Sequence, residues 1–448
     1  VLPLANLSGE ARDAALVDGL TEELIGVLAR IEGLQVVART SAFAFRGTSL
    51  DVRSIADSLH VSNVLEGGVQ RIGDRLRVQV RLIDARDGST RWSETYDREL
   101  RDVFVVQSDI ATAVARELNL RLASDMGTIS RPRAVNIAAY ELVLRGNDPS
   151  LLRNDSAVVR GLEYFQHAAA IDSTYAAAFA GMSRMYLRLR WTDLLPISSR
   201  EKYELARDAA LKAISLDPSL ADAHASVGLI HLASGKVPEG LTALKRAVAL
   251  DPGHSRIREW LSFGYSITGR HAEALAETLR AVENDPLSPS ANAEVGRALC
   301  LNGQITEGLA RLNTLDALQP PLARAVMYKA MCHGMSGDWE TASAILPRGD
   351  PRIGAALAGH VMARVGKKDS AQAVLDDLTR RWERTRDGAF LIAIVYAGFG
   401  DREQTFEWLN RSIDEASLSP QLMFPFFDDM TADPRFEQFR RRLGIQNR

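Results

Sequence analysis

Four dipeptides fix the spacing of this 448-residue chain. Asp217-Pro218, Asp251-Pro252, Asp285-Pro286 and Gln319-Pro320 stand 34 residues apart, three times in succession. Gly235, Gly269, Gly303 and Gly337 repeat at the same step. Each glycine follows an apolar run and precedes Lys236, Arg270, Gln304 or Asp338. A glycine at the end of such a run reaches the left-handed region without a Cβ clash and stops a helix. Each proline pushes the residue before it out of the helical region and so opens the next unit. A unit of this length with two stops is a helical hairpin, and hairpins stacked at a fixed period form a solenoid.

The slots between the stops resemble the tetratricopeptide (TPR) pattern of small residues at positions 8, 20 and 27 with proline at 32. Numbered from Ala221, these are Gly228, Gly240, Ala247 and Pro252. Numbered from Ser255, Tyr265 stands at 11, followed by Ala274, Ala281 and Pro286; numbered from Pro289, the slots hold Gly296, Gly308 and Pro320. Upstream, Gly161–Ala168 reads as a second helix. The interval from Asp172 to Asp217 exceeds one period by 11 residues, which predicts a loop over Trp191–Glu201. Downstream, Gly366 and Gly400 keep the step, and one unit is shortened around Pro347–Pro351. The expected array runs over 134–417 with seven hairpins. A segment 418–448 carries Phe426, Phe427, Phe436 and Phe439 to cap its open end.

The first 125 residues follow another period. Leu76, Val78, Val80 and Leu82 alternate with polar residues, the pattern of a half-buried strand. Gly73-Asp74 and Asp87-Gly88 flank it as turns. Leu34–Ala38 and Val61–Glu66 read as short strands, and Trp92 and Tyr96 share one face of another. Apolar stripes predict helices through Leu16–Leu28, Ile55–Leu59 and Val105–Leu122, with Asp51 capping the second. The expected order is β-α-β-α-β-β-β-α. The fold class is therefore an α+β domain with one mixed sheet at 1–125, a linker at 126–133 and an all-α superhelical solenoid.

Val1–Gly9, Asp18–Leu24, Val37–Ser41, Leu65–Gly67 and Trp92–Arg98, in that order, resemble the TolB-like amino-terminal domain family. Asp433–Phe436 resembles the end of the TPR halves that follow such domains. Gly68 departs from the pattern, standing where a serine is usual. The resemblance implies a bacterial signalling or regulatory protein, with a winged-helix, nucleotide cyclase or Ser/Thr kinase effector in front, sometimes followed by a membrane span. Val1-Leu2-Pro3-Leu4 reads as the middle of a strand, so the chain is expected to be a trimmed piece.

Composition narrows the function. A net charge of −3 gives no bulk attraction to nucleic acid, and no direct nucleic-acid binding is expected. No run of 18 apolar residues spans a membrane. Cytoplasm and periplasm both fit, the latter with an upstream tether, and an oligomer is compatible with either. Cys300 and Cys332 lie in first helices of adjacent units and give no support to a disulfide framework or a metal pair. His224 and His231 share a helix face without further ligands. No phosphate loop, dinucleotide fingerprint, nucleophile elbow, kinase set or H-E-x-x-H is present. The chain is expected to be no enzyme and to need no cofactor or metal.

Two candidate sites remain. Arg39 and Glu66 follow strands in a mixed layer, where they form either a small-molecule or nucleotide site or a structural pair. Glu22 and Glu23 read as acidic residues favouring a helix start. In TPR arrays, positions 2, 5, 9 and 12 of each first helix line the concave face. Here Leu229, Arg256, Phe263, Arg297, Arg324, Met327 and Met331 fall on them, with Ala225, Leu232 and Glu259. An apolar groove punctuated by arginines suits a protein or peptide partner. The Lys/Asn carboxylate clamp of chaperone-binding TPRs does not map onto it. The alternatives are a sensor for an absent effector and an envelope structural component.

Overall fold

The computed structural model describes residues 1–10, 13–120, 136–152, 154–189, 194–195, 197–318, 321–346, 353–419 and 426–445. The linker 126–133, Trp191–Asp193, Pro196, Gln319-Pro320 and Pro347–Pro351 lie outside them.

The chain is an α+β domain with a small mixed sheet followed by a helical TPR solenoid. The sheet orders β1 (Ala5–Asn6), β2 (Asn63–Ile72), β3 (Arg75–Asp84) and β4 (Thr90–Glu99) side by side. β1 runs parallel to β2, and the rest is antiparallel. Leu76, Val78, Val80 and Leu82 are all buried, as their alternation requires. Tyr96 is buried with them and Trp92 packs on the same core. α1 (Ala14–Ala29) and α4 (Val103–Glu117) cover this face. α2 (Arg39–Phe43) and α3 (Val52–Leu59) precede β2, and Asp51 caps α3 by accepting from the Arg53 and Ser54 amides.

One expected strand is absent. Leu34–Ala38 carries no ladder, because its polar groups bond outside the sheet: Ala38 N–H donates to the Asn284 carbonyl at 2.7 Å. Gln35 Nε2 donates to the Glu283 carbonyl at 3.4 Å.

Among the described residues the solenoid has eight helix pairs, one more than the seven hairpins expected. They are α5 (Ile137–Gly146) with α6 (Asp155–Ile171), α7 (Ala176–Leu189) with α8 (Ser199–Leu216), and α9 (Ala221–Ala233) with α10 (Val237–Leu250). Next come α11 (Ser255–Ile267) with α12 (His271–Asn284), and α13 (Pro289–Leu301) with α14 (Ile305–Asn313). α15 (Ala323–Met335) pairs with α16 (Trp339–Ile345), α17 (Ile353–Arg364) with α18 (Lys368–Thr385), and α19 (Ala389–Phe399) with α20 (Arg402–Asp414). The shortened unit is the one containing α16, seven residues long. The interval read as a loop separates α7 from α8, and its last three positions are helical: α8 begins at Ser199, behind a Ser198–Glu201 capping box.

The glycine ladder holds at every position: φ is +73°, +73°, +85° and +82° at Gly235, Gly269, Gly303 and Gly337. Positions 8 and 20 are small because paired helices touch there. A Cβ on Gly228 would lie 3.1 Å from the Gly240 carbonyl oxygen, and one on Gly240 would lie 3.0 Å from that of Gly228. A further tie corrects the sequence reading: Cys300 and Cys332 form a disulfide joining α13 to α15. Their separation of 32 is close to one period, which brings equivalent helices side by side.

α21 (Pro434–Arg442) and its flanks return to the third helix pair. Val237 N–H donates to the Leu443 carbonyl and Leu418 N–H to that of Ala233. Phe426 packs on His360 and Phe427 on Phe390, so the closing segment shares one continuous core with α9 to α20.

Candidate functional site

The residues expected on the concave face come from α9, α11, α13 and α15, and the structure divides them. Phe263, Arg297, Met327 and Met331 are buried, which corrects the picture of a wet apolar groove. Met327 and Met331 join the core that holds Phe426 and Phe427. Leu229 is half-buried, Arg256 is exposed, and the Arg324 side chain keeps 38% of its surface.

A charged network explains how an arginine can be buried here. Arg297, 1% exposed, donates from Nε to Glu294 Oε2 at 2.8 Å. Its two terminal nitrogens donate to Ser266 Oγ and Ser262 Oγ, each at 3.2 Å, and its plane lies 5.0 Å from the Phe263 ring centre. Tyr328 O–H donates to Glu294 Oε1 at 2.6 Å. Arg324 Nη1 donates to Ser290 Oγ at 2.7 Å, Glu294 Oε1 at 3.2 Å and Glu259 Oε2 at 3.4 Å. The buried Glu294 and Glu259 are thus each matched by an arginine, as the cost of burying charge demands. Burial opposes the charge on Arg324, but Tyr328, Glu294 and Glu259 overcome it and hold its pKa above the ordinary value. Burial, reinforced by Glu294, raises the Tyr328 hydroxyl well above the ordinary range. Tyr328 stays a proton donor, and the network is a neutralised strut with no free nucleophile or base.

Arg39 and Glu66 have different partners. Arg39 Nε pairs with Glu22 at 3.3 Å, and its guanidinium lies 4.3 Å from the Phe43 ring centre. Glu66 pairs with Arg81 on the sheet face turned away from α1, so the two do not converge. Arg39 belongs to a charged seam between α1 and the array. There Arg184 pairs with Asp222 at 2.7 Å, and His254 reaches Asp222 at 3.4 Å. Deeper in the same joint, Glu23 Oε2 accepts from Tyr140 O–H at 2.6 Å and Gln107 Nε2 at 2.5 Å. Burial pushes the Glu23 carboxyl up to about 7.

The residues that sequence reasoning missed are Ser41 and Asp285. Ser41 N–H and Oγ–H both donate to Asp285 Oδ1, at 2.9 and 2.5 Å, and Leu287 N–H donates back to Ser41 Oγ at 2.9 Å. Ser41 is fully buried and Asp285 is 2% exposed. Asp285 was visible only as a repeat stop and Ser41 only as part of a motif. Nothing in either pattern says that they meet across 244 residues. Beside this joint opens a cleft of ≈ 860 Å³ between the sheet domain and the array. Among the described residues no group of three or more metal-ligating side chains occurs, and no helix is long and apolar enough to cross a membrane.

The tetratricopeptide repeat family profile matches residues 199–255. A protein of Rhizobium meliloti (strain 1021) named putative adenylate cyclase 3 is 32% identical over 233 residues, which is 51% of this chain and 39% of the relative. The chain thus spans well under half of that relative's length. Among solved structures, a thermophilic TPR protein of Thermus thermophilus is 23% identical, with a TM-score of 0.32 over 44% of this chain and 92% of its own. A tetratricopeptide repeat protein of Parabacteroides merdae ATCC 43184 is 14% identical, with a TM-score of 0.40 over 62% of this chain and 100% of its own. Pseudomonas aeruginosa pilF is 18% identical, with a TM-score of 0.34 over 47% of this chain and 93% of its own.

Proposed function

We propose that this chain is a non-catalytic interaction module of a bacterial signalling protein. In this reading it binds a protein or peptide partner through the open part of the concave face. The observation that carries it is the split within that face. Phe263, Arg297, Met327 and Met331 are buried inside the chain, while Leu229, Arg256 and Arg324 reach its surface. Arg324 is already matched by Glu259 and Glu294, so the charge left for a partner is that of Arg256, with Leu229 as an apolar anchor, and it fits an acidic segment. Arginine and a buried apolar anchor are the groups that dominate such contacts.

The amino-terminal domain is, in this reading, of the TolB-like kind, docked on the array through Ser41 and Asp285. The likeness to a relative named as an adenylate cyclase supports a place beside a nucleotide cyclase effector. The chain itself supplies binding and regulation, and by itself turns over no nucleoside triphosphate.

The test is affinity capture from lysate of the source cells with wild type, Arg256→Glu and Arg39→Ala, each checked for folding by circular dichroism. Arg256→Glu should lose the partner and Arg39→Ala should keep it. Loss with Arg39→Ala alone would move the recognition surface to the sheet domain and refute the reading.

A further inference from the structure

We propose that the cleft between the sheet domain and the array binds an amphipathic anion: a small molecule with a long apolar body and a single carboxylate or phosphate head. This is independent of the protein partner assigned to the concave face. The volume of ≈ 860 Å³ lies within the ~300–1,000 Å³ span of small-molecule sites. Val36, Val64 and Val114 line one wall, and Leu279, Val282 and Leu287 line the other. Leu279 and Leu287 are 46% and 41% exposed, so the array wall is wet leucine that none of the described residues covers. Large apolar groups left in water inside a concavity mark a place where something apolar sits.

The polar groups choose the head. Arg311, from α14, lines the cleft, and its Nε is buried without an acceptor. Among the described residues no carboxylate pairs with it, whereas in the buried Arg297 each of the three nitrogens donates to a protein oxygen. An Nε–H shielded from water with no acceptor, on a half-buried guanidinium against apolar walls, favours an anion there. Asn63 Oδ1, on the facing wall, is likewise buried without a donor and can accept from a hydroxyl or amide on the same ligand. Glu283 and His60 are the other titratable side chains on the walls. Glu283 is exposed, and its carbonyl is already held by Gln35. Because both units form the walls, a bound molecule would hold the sheet domain against the array beside the Ser41–Asp285 joint. Ligand occupancy would then govern how firmly the two units dock.

The experiment is isothermal titration calorimetry of the whole chain with octanoate, decanoate, dodecanoate, dodecyl phosphate and dodecan-1-ol, each below its micelle concentration. One molecule per chain should bind, with affinity rising about fourfold per added methylene. Dodecanoate and dodecyl phosphate, compared directly, identify the preferred head. Arg311→Met should weaken the preferred anion about tenfold or more and leave dodecan-1-ol unchanged, because only the charged hydrogen bond is lost. Leu287→Glu places a carboxylate on an exposed side chain, where folding is not at stake, and should weaken both anions as well. Non-saturating uptake, equal affinity for dodecan-1-ol and dodecanoate, or anion binding unchanged by both substitutions would each overturn the proposal.

Discussion

Replacing Arg297 by alanine should unfold the middle of the array rather than abolish a surface contact. The guanidinium is 1% exposed and makes three hydrogen bonds, one of them to Glu294, which is itself fully buried. Arg297→Ala leaves Glu294 with only Tyr328 and Arg324, leaves two serine hydroxyls without their partner, and opens a void against Phe263. Breaking a buried ion pair from one side costs about 3–5 kcal/mol. With a urea dependence of about 2 kcal/mol per molar, the midpoint should fall by about 1.5–2.5 M. Arg297→Lys should recover only part of this, since an ammonium cannot reach Glu294 and both serines at once. Repeat arrays can lose cooperativity, so hydrogen exchange in α11, α13 and α15 should accompany the circular dichroism curve. A midpoint within about 0.2 M of wild type, with protection of α13 unchanged, would show that Arg297 is not the strut described.

Four further outcomes follow from the same structure. Gly337→Val should cost on the order of 1–3 kcal/mol from backbone strain alone, because φ is +82° and its Cβ would meet open space. Gly235→Val should cost more in a urea melt, since its Cβ would also press on Ile413 and Leu443 at 3.1 and 3.2 Å. Reduction of the Cys300–Cys332 disulfide should lower stability by about 3–4 kcal/mol on the chain-entropy account, seen as a lower melting temperature in dithiothreitol that Cys300→Ser abolishes. Glu23, raised from 4.5 to about 7, holds a proton in the fold that it loses when unfolded, so stability should decline as pH rises from 4.5 to about 7 and level off above it. Glu23→Gln should flatten that decline in pH-resolved thermal melts.

The period carried most of the array. Gly235 to Gly337 and the paired small residues Gly228 and Gly240 act through local backbone geometry, which sequence spacing reports directly. What it could not report is contact between distant segments. Leu34–Ala38 has strand composition, yet its backbone bonds Asn284 and Glu283. Arg297 stands at a concave position by number, but Glu294, Ser262 and Ser266 turn it inward. Met327 and Met331 look wet by repeat position, yet both are buried in the core that runs through the array and also holds Phe426 and Phe427. Cys300 and Cys332 were read by motif spacing, when the relevant spacing was the repeat itself. In each case the deciding partner lies outside the window over which propensity and periodicity act.

Binding by the open cationic part of the concave face is the claim on which the functional account stands. Cross-linking mass spectrometry of the chain captured with its partner tests it most directly. The account predicts cross-links, from an acidic segment of the partner, on α9, α11 and α15 near Leu229, Arg256 and Arg324, and their loss with Arg256→Glu. Cross-links confined to the sheet domain or to the outer helices α8 and α12, and unchanged by that substitution, would contradict it.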